Sequence, residues 1–233
     1  MVVGLIGGAS MLNSMYMRGE NRNMENKHGE VLVIRGTDWV YVPRHGWQGS
    51  VPPHRINHKA NIAALESEGV SQLVGVCSVG SLRREIKPGQ LVVPDDYISL
   101  CEIPTYFERD AVHITPTLDE DVRKIMLERA DKLDLEIVSG GTYFQTTGPR
   151  LETRAEIGLL SDYAEVVGMT MASEATLACE LGLRYAALCT VDNYAHGITD
   201  EQLDYGGVME KASMGQDGLH ELLDQVVEGL KCF

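Results

Sequence analysis

The chain has 233 residues and a net charge of −14, from 34 acidic and 20 basic side chains. Its hydrophobic share of 44% and charged share of 23% are ordinary for a globular protein with a well-buried core. The acidic balance argues against general nucleic-acid binding, which depends on neutralising phosphates. No apolar run approaches the ~20 residues of a membrane span, and the N-terminus lacks the leader pattern of a signal peptide. We expect a cytoplasmic protein with no nucleic-acid or membrane partner.

Neither cysteine nor histidine spacing predicts a metal site. The cysteines are odd in number, scattered and never in a CxxC pair: Cys77, Cys101, Cys179, Cys189 and Cys232. Disulfides are therefore not expected. His54 and His58 have the spacing of half a helical metal site, but no HExxH motif or third ligand accompanies them. The sequence predicts no bound metal.

The first half of the chain alternates apolar runs with one helical pattern. Residues 2–6 form a short apolar run that ends at Gly7-Gly8, which is typical of a buried strand and a tight turn. The other strands predicted in this half lie at residues 31–35, 39–42 and 72–78. Asn57 to Glu68 is predicted to be a helix that ends at Gly69.

The second half carries clearer helix signals. Two predicted capping boxes, Thr117-x-x-Glu120 and Thr153-x-x-Glu156, mark helix starts. Apolar stripes at helical spacing follow the first box and run along the C-terminal segment: Val122, Ile125, Met126, Ala130 and Leu133, then Leu219, Leu222, Leu223, Val226, Val227 and Leu230. Strands are predicted at 137–145, 164–169 and 184–191, and a further helix at 172–181.

Apolar strands that alternate with amphipathic helices predict an α/β fold with a largely parallel or mixed sheet covered on both faces. No repeat or linker divides the chain, so residues 1–233 are expected to form a single domain. Ligands of such sheets bind where strands end. Polar segments stand at these places: GGAS, PRHG, CSVGS, QTTGPRLET, GMT and DNYAHG. This pattern predicts an enzyme site built from several loops.

Individual motifs are weak when taken alone. The glycines of residues 4–8 allow close backbone approach to a phosphate, but they are not a GxGxxG, which disfavours a dinucleotide-dependent dehydrogenase. Arg44-His45 offers a guanidinium fork suited to anions. The capping box explains Glu156, whereas Glu152 precedes the cap and is explained only by a modest helix-dipole effect. Glu152 is therefore a candidate for reading a substrate.

Together, the segments GLIGGAS, RHG, NHKANIAAL, VGSL, PGQLVVPDDYI, PTYF, GPRLETRAEI, VVGMT and DNYAHG resemble, in order, the trimeric nucleoside phosphorylases. This is the family of purine nucleoside phosphorylase and methylthioadenosine phosphorylase. The resemblance implies a twisted mixed β-sheet surrounded by helices and a homotrimer with sites at or near subunit interfaces. It also implies phosphorolysis of a purine nucleoside, with inorganic phosphate as co-substrate and no metal or organic cofactor.

The resemblance implies a phosphate site made from the glycine turn and three further segments: Gly8, Arg44, His45, Ser78 and Thr170. The family's turn carries a Ser or Thr that grips phosphate, and this chain has Ala9 there. Ser10 is a candidate substitute. Without one, phosphate binding loses a hydrogen bond to a charged group, worth about 1.5–3 kcal/mol.

The resemblance also places Glu152 and Asn193 on the purine, with Leu151 and Ala195 beside it. Members specific for 6-oxopurines carry this Glu and Asn, whereas 6-amino members tend to have Ser and Asp. A carboxylate accepts the N1–H of a 6-oxopurine but has nothing to donate to adenine N1. Asn193 is expected to stabilise N7 in the transition state and, with His45, to be catalytic.

The ribose end has a different set of expected residues. Met169 is expected against the ribose, and His113 in the 5′ region of a neighbouring subunit. The small apolar residues Gly206 and Val208, with no histidine nearby, favour a 5′-methylthio group. The expected substrate is thus 5′-methylthioinosine, with inosine and guanosine as further candidates. Methylthioadenosine phosphorylase and, because of Ala9, a non-catalytic purine binder are the alternatives.

Overall fold

The computed structural model describes residues 2–200 and 216–232, and in this part of the chain it contains a mixed β-sheet of 11 strands with helices packed on both faces. In chain order the strands are β1 (Val2–Gly7), β2 (Glu20–Asn26), β3 (Gly29–Arg35), β4 (Trp39–Pro43), β5 (Val70–Ser81), β6 (Leu91–Val93), β7 (Asp96–Ser99), β8 (Ile137–Ser139), β9 (Thr142–Gln145), β10 (Val166–Gly168) and β11 (Arg184–Tyr194). The described helices are α1 (His58–Ser67), α2 (Glu120–Lys132), α3 (Arg154–Leu160), α4 (Met171–Glu180) and α5 (Gln216–Leu230).

The long strand β5 organises the sheet. The strands β4, β1, β5 and β11 run parallel in that order, so their C-terminal ends meet at one edge. Beyond the end of β1, the last residues of β5 pair antiparallel with β10, where Val167 faces Gly80. The chain that leaves β10 therefore runs back toward the ends of the parallel strands. This edge is where several loops can converge on one ligand.

Apolar side chains of β5 are buried on both faces of the sheet. Leu73, Cys77 and Val79 pack into a core cluster that includes α1 and α4, while Val74 and Val76 pack into one with α2 and α5. Alternate residues of a strand point to opposite faces. A strand buried on both sides reads as an uninterrupted apolar run, which is the pattern seen in the sequence.

Three features differ from the sequence-based prediction. Strand β2 was not predicted because it is mostly polar and exposed. The predicted strand at 137–145 is divided into β8 and β9, because Gly140 and Gly141 have φ values of +89° and +101°. The predicted Thr117–Glu120 capping box is wrong: Asp119 caps α2, since its side chain accepts a hydrogen bond from the Val122 N–H.

The second capping box is confirmed. The Thr153 N–H donates to Glu156 Oε2 at 2.7 Å, and the Glu156 N–H donates to Thr153 Oγ1 at 3.2 Å. Glu156 also pairs with Arg150. These hydrogen bonds lower the pKa of Glu156 to about 2, with the Arg150 contact as the largest cause. The Glu156 side chain therefore stabilises the start of α3.

No helix in the described ranges is long and apolar enough to cross a membrane. Within residues 2–200 and 216–232, no group of three or more His, Cys, Asp or Glu side chains is arranged to hold a metal ion.

Candidate active site

A cavity of about 430 Å³ opens at the edge where the parallel strands end. This volume lies within the range of small-molecule sites in proteins. Ten of the residues predicted from the sequence line it: Gly8, Arg44, His45, Ser78, Leu151, Glu152, Met169, Thr170, Asn193 and Ala195. The structure therefore brings together residues that are up to 187 positions apart in the chain, counting from Gly8 to Ala195.

Two other predicted residues that the structure describes, Ser10 and His113, do not line the cavity. Ser10 is fully buried without lining the cavity, and no described residue forms a hydrogen bond with its hydroxyl. His113 is exposed on the segment between β7 and α2. Gly206 and Val208 lie outside the described residues, as does the side chain of Ala9. The predicted 5′ pocket is thus not described by the structure.

Arg44 follows β4 and is buried beneath the cavity. Its Nε and Nη2 donate to the two carboxylate oxygens of Glu174, at 2.5 and 2.9 Å. Nη1 donates to the Val76 carbonyl at 2.7 Å, and Nη2 also approaches the Ile6 carbonyl at 3.3 Å. A guanidinium has five N–H donors, so these contacts leave one Nη1 proton for a ligand.

The free side of Arg44 Nη1 faces the glycine turn. A methyl group at Gly8 would lie 3.1 Å from Nη1 and 3.5 Å from His45 Nε2. Burial alone would lower the pKa of Arg44, but the Glu174 carboxylate raises it well above its ordinary value. Arg44 is therefore a permanently charged donor whose charge Glu174 already balances.

His45 is held in one orientation by the loop that follows it. Its Nδ1 lies 2.7 Å from the Val51 carbonyl oxygen, which can only accept, so Nδ1 carries the proton. Burial and the neighbouring Arg44 lower the pKa of His45, although the Val51 contact acts in the opposite direction. The ring is thus neutral near pH 7, and Nε2 presents a lone pair at the cavity.

Helix α4 begins at the cavity with an unusual cap. Thr170 is the N-cap residue, but its side chain makes no capping hydrogen bond. The Tyr143 hydroxyl takes this place by accepting from the Thr170 N–H at 3.2 Å and the Met171 N–H at 3.5 Å. Among the residues that the structure describes, Thr170 Oγ1 contacts only Cys77 Sγ, at 3.9 Å. The threonine hydroxyl is therefore available at a helix N-terminus, where anions are favoured.

Two glycines allow tyrosines to reach α4. A methyl group at Gly168 would lie 2.2 Å from the Tyr143 hydroxyl, and one at Gly75 would lie 2.0 Å from the Tyr185 hydroxyl. Tyr185 donates to Glu174 Oε2 at 3.0 Å. The two phenols thus fix the start of α4 and the carboxylate that holds Arg44. Neither glycine can be replaced by a residue with a Cβ unless the tyrosine that contacts it moves.

The opposite side of the cavity is formed by the loop between β9 and α3. Thr146 Oγ1 donates to Glu152 Oε1 at 2.6 Å, which orients the carboxylate. Gly148 has a φ of +66° and packs against Met169, since a methyl group there would lie 2.5 Å from the Met169 sulfur. The loop therefore packs on Met169, the residue that follows β10. Glu152 lines the cavity, and no described residue forms a hydrogen bond with its second carboxylate oxygen.

A β-bulge in β11 turns two consecutive polar residues toward the cavity. The register with β5 shifts between Val191 and Asn193, so Asp192 is the extra residue. Asn193 Nδ2 donates to the Tyr194 carbonyl at 2.7 Å, which leaves its amide oxygen and one N–H for a ligand. Both Asp192 and Asn193 line the cavity.

Asp192 was not predicted as a site residue. It is 7% exposed, and burial raises its pKa to about 6, while the hydrogen bond from Thr190 Oγ1 acts in the opposite direction. The signal in the sequence was an acidic residue at the end of an apolar strand, directly before Asn193. Sequence reasoning missed it because the alternation of a regular strand would turn it away from its neighbour.

The phosphorylase superfamily model matches residues 4–228, and the chain belongs to this family. It is 42% identical over 236 residues to a protein of Archaeoglobus fulgidus named "Probable 6-oxopurine nucleoside phosphorylase", covering 99% of this chain and 96% of the relative. It is 35% identical over 234 residues to "Probable S-methyl-5'-thioinosine phosphorylase" of Methanocaldococcus jannaschii, covering 97% and 92%.

A solved structure has the same fold. Methylthioadenosine phosphorylase from Schistosoma mansoni, in complex with adenine, superposes with a TM-score of 0.91 at 22% identity, covering 100% of this chain and 93% of that one. The predicted resemblance to nucleoside phosphorylases, the α/β fold and the assignment as an enzyme of this kind are confirmed. Members of the family use phosphate as co-substrate.

Proposed function

We propose that the protein is a 6-oxopurine nucleoside phosphorylase, with 5′-methylthioinosine as its preferred substrate. The observation that carries the proposal is the composition of one cavity, which joins a carboxylate and an amide to a set of anion-binding groups. The name of the Archaeoglobus fulgidus relative supports the substrate class, and that of the Methanocaldococcus jannaschii relative supports the 5′ group.

Glu152 and Asn193 recognise the base in this proposal. The unpaired oxygen of Glu152 accepts the N1–H of hypoxanthine, while Thr146 holds the other oxygen. Asn193 offers an N–H and a carbonyl oxygen to the imidazole side of the ring and O6. A 6-aminopurine presents an acceptor at N1, which would leave the Glu152 carboxylate without a donor. The unpaired carboxylate discriminates against that substrate.

Phosphate binds at the other end of the cavity. The remaining Nη1 proton of Arg44, the Gly8 turn and the free hydroxyl of Thr170 donate to its oxygens. The Nε2 lone pair of His45 accepts a hydrogen bond from the hydroxyl of the monohydrogen phosphate dianion. Because Glu174 balances the charge of Arg44, binding relies on hydrogen bonds and the N-terminus of α4 rather than on excess positive charge.

Catalysis follows from holding both reactants in one enclosed site. Cleavage of the glycosidic bond leaves positive charge on the ribose, which lies against Met169, and negative charge on the purine. Asn193 stabilises the purine more strongly as this charge develops. A phosphate oxygen then forms the bond to C1′, and its fixed position supplies much of the rate enhancement. The proposed reaction needs no metal or organic cofactor.

The proposal also includes a cytoplasmic homotrimer. Exposed apolar side chains flank the segment that carries His113, with Leu100 83% and Val112 47% exposed. Burial of these side chains against a neighbouring subunit would bring His113 toward the neighbour's site. All five cysteines are free, which fits a reducing compartment.

A substrate panel tests the function. Methylthioinosine, inosine, guanosine and methylthioadenosine are incubated with and without phosphate, and the released base is quantified. We expect phosphate-dependent release of hypoxanthine from methylthioinosine and little adenine from methylthioadenosine. Faster release of adenine would establish a methylthioadenosine phosphorylase instead. Tight hypoxanthine binding without any turnover at high phosphate would establish a non-catalytic binder.

A further inference from the structure

His196 lines the cavity, and the reaction described above gives it no role. It is partly buried and lies two residues beyond the end of β11. Its Nδ1 is 3.3 Å from the Glu152 carbonyl oxygen, and its Nε2 accepts from Arg154 Nε at 3.3 Å. A carbonyl can only accept and a guanidinium can only donate. The two contacts therefore require the tautomer with a proton on Nδ1 and a lone pair on Nε2.

The segment that carries His196 is anchored on the sheet. Asn193 is part of β11, and the Ala195 N–H donates to the Ser81 carbonyl of β5 at 2.8 Å. The Ala195 side chain is buried in the same apolar cluster as Ile157 of α3. This side of the cavity is thus fixed by strand pairing and packing, and it supplies a firm point of attachment for the opposite side.

The loop that carries Glu152 is attached to this segment at one point. It leaves the end of β9 and continues to the N-cap of α3. Among the hydrogen bonds of the described residues, the one from His196 to the Glu152 carbonyl alone joins residues 146–153 to residues 193–198. Glu152 and Asn193 are 41 positions apart in the chain, so the local backbone does not fix their separation.

We infer that His196 is a positioning residue for base recognition, an inference that rests on the proposed function. Its hydrogen bond to the Glu152 carbonyl sets the distance between the carboxylate that accepts N1–H and the Asn193 amide at the imidazole side of the same ring. A purine is rigid, and hydrogen bonds weaken steeply away from their preferred distance and angle. His196 acts through Glu152, so its contribution is confined to purines that carry a hydrogen on N1.

The test compares His196→Leu with His196→Asn. The asparagine amide has an N–H that can replace Nδ1–H as the donor to the Glu152 carbonyl, whereas leucine has a similar size and no donor. Hypoxanthine binding is measured by calorimetry. We expect Kd to rise about 3- to 10-fold in His196→Leu, the range for loss of a neutral hydrogen bond. In His196→Asn, the Kd should rise less than about twofold, because the donor is restored.

Steady-state kinetics separate positioning from a general loss of structure. The contact with N1–H is made in the ground state and in the transition state, so its weakening removes uniform binding. The KM for methylthioinosine in His196→Leu should therefore rise by the same factor as Kd, while kcat changes less than about twofold. The KM for phosphate should not change.

A double-mutant cycle tests whether His196 acts through the carboxylate. In a Glu152→Ala background, His196→Leu should raise the Kd of hypoxanthine less than about twofold, because the group that His196 positions is absent. His54→Leu is the control, since His54 is exposed and does not line the cavity, and it should bind hypoxanthine like the wild type. Thermal unfolding verifies that each variant is folded, and His196→Ala replaces His196→Leu if the latter is not.

Three results would overturn the role of His196 while leaving the proposed function intact. They are equal Kd values in the leucine and asparagine variants, a fall in kcat at unchanged KM, and an undiminished effect in the Glu152→Ala background. Failure of the proposed function has a different signature, because the wild type would then release no hypoxanthine from any nucleoside in the presence of phosphate.

Discussion

Arg44 and Glu174 are 130 residues apart in the chain and form an ion pair in which both side chains are almost completely buried, at 1% and 0% exposed. Removal of one partner from such a pair leaves an uncompensated buried charge. We predict that Arg44→Met lowers the free energy of unfolding by about 3–5 kcal/mol, as measured by urea denaturation.

The matched control is Arg150→Met. Arg150 also forms two hydrogen bonds with a glutamate, Glu156, but this pair is on the surface. Exposed ion pairs contribute little to stability, so the control should unfold close to wild type. A loss in Arg44→Met below about 1 kcal/mol, the range of an exposed ion pair, would show that the Arg44–Glu174 pair is not important for stability.

A second prediction concerns the base. The double variant Glu152→Gln with Asn193→Asp should lower kcat/KM for methylthioinosine by about 10- to 100-fold, because a hydrogen bond to a charged group is lost. The ratio of methylthioadenosine to methylthioinosine turnover should rise, since glutamine can donate to adenine N1. Steady-state kinetics on both substrates provide the measurement.

Glu156→Gln is the control for this experiment, as Glu156 lies four residues further along and serves the helix cap. It should leave the substrate ratio unchanged. If the double variant kept the wild-type ratio of methylthioadenosine to methylthioinosine turnover, Glu152 and Asn193 would not be the residues that recognise the base.

A third prediction separates ligand binding from helix capping. Thr170→Val should raise the KM for phosphate about tenfold or more by removing one hydrogen bond to a charged ligand. Stability should change little, because the Tyr143 hydroxyl rather than Thr170 Oγ1 caps α4. Thr153→Val should show the opposite behaviour: its free energy of unfolding should fall by about 1 kcal/mol, and its KM for phosphate should not change. Phosphate titrations and thermal unfolding of both variants decide the matter, and a large stability loss in Thr170→Val would contradict the assignment.

A fourth prediction follows from His58 on α1. Burial lowers its pKa to about 4, and nearby Arg44 and His45 act in the same direction against Glu174. The folded pKa lies below the ordinary value of 6.5, so the unfolded chain binds the proton more tightly. This stabilisation is complete above pH 6.5 and is lost as the pH falls to about 4. The contribution of His58 to the free energy of unfolding that is lost over this pH range is about 3 kcal/mol.

The measurement is urea unfolding at several pH values. The decrease in unfolding free energy between pH 6.5 and 4 should be about 3 kcal/mol smaller in His58→Asn than in wild type. Asp192 titrates in the same window with the opposite sign, but it is present in both proteins and cancels in the comparison. Exposed His54→Asn should follow the wild type. Parallel curves for all three proteins would contradict a buried, neutral His58.

Much of the architecture could be predicted from the sequence because the signals are local. The apolar run of β5 and the Thr153–Glu156 box each depend on neighbours within a few residues. Comparison of Glu152 with Glu156 was also a local argument, since only one of the two fits a cap. The structure agrees that Glu156 serves the helix and that Glu152 lines the cavity, while the role of Glu152 on a base stays a prediction.

The remainder depends on contacts that no local pattern encodes. The polar strand β2 exists because β3 pairs with it along its whole length. Glu174 looked like an ordinary residue on a helix, and its partner Arg44 comes from the first quarter of the chain. Asp192 reaches the cavity only because the pairing of β11 with β5 contains a bulge, and bulges have no reliable sequence signature at this position.

The glycines that accommodate the two phenols carry a lesson for natural variants. Any side chain at Gly75 would displace Tyr185, and any side chain at Gly168 would displace Tyr143, and each change would disturb the start of α4. Homologues that differ at Gly75, which does not line the cavity, should also differ in how tightly they retain inorganic anions, even where every cavity-lining residue is identical. A classification of relatives by their cavity-lining residues alone would then group together proteins that differ in affinity for phosphate.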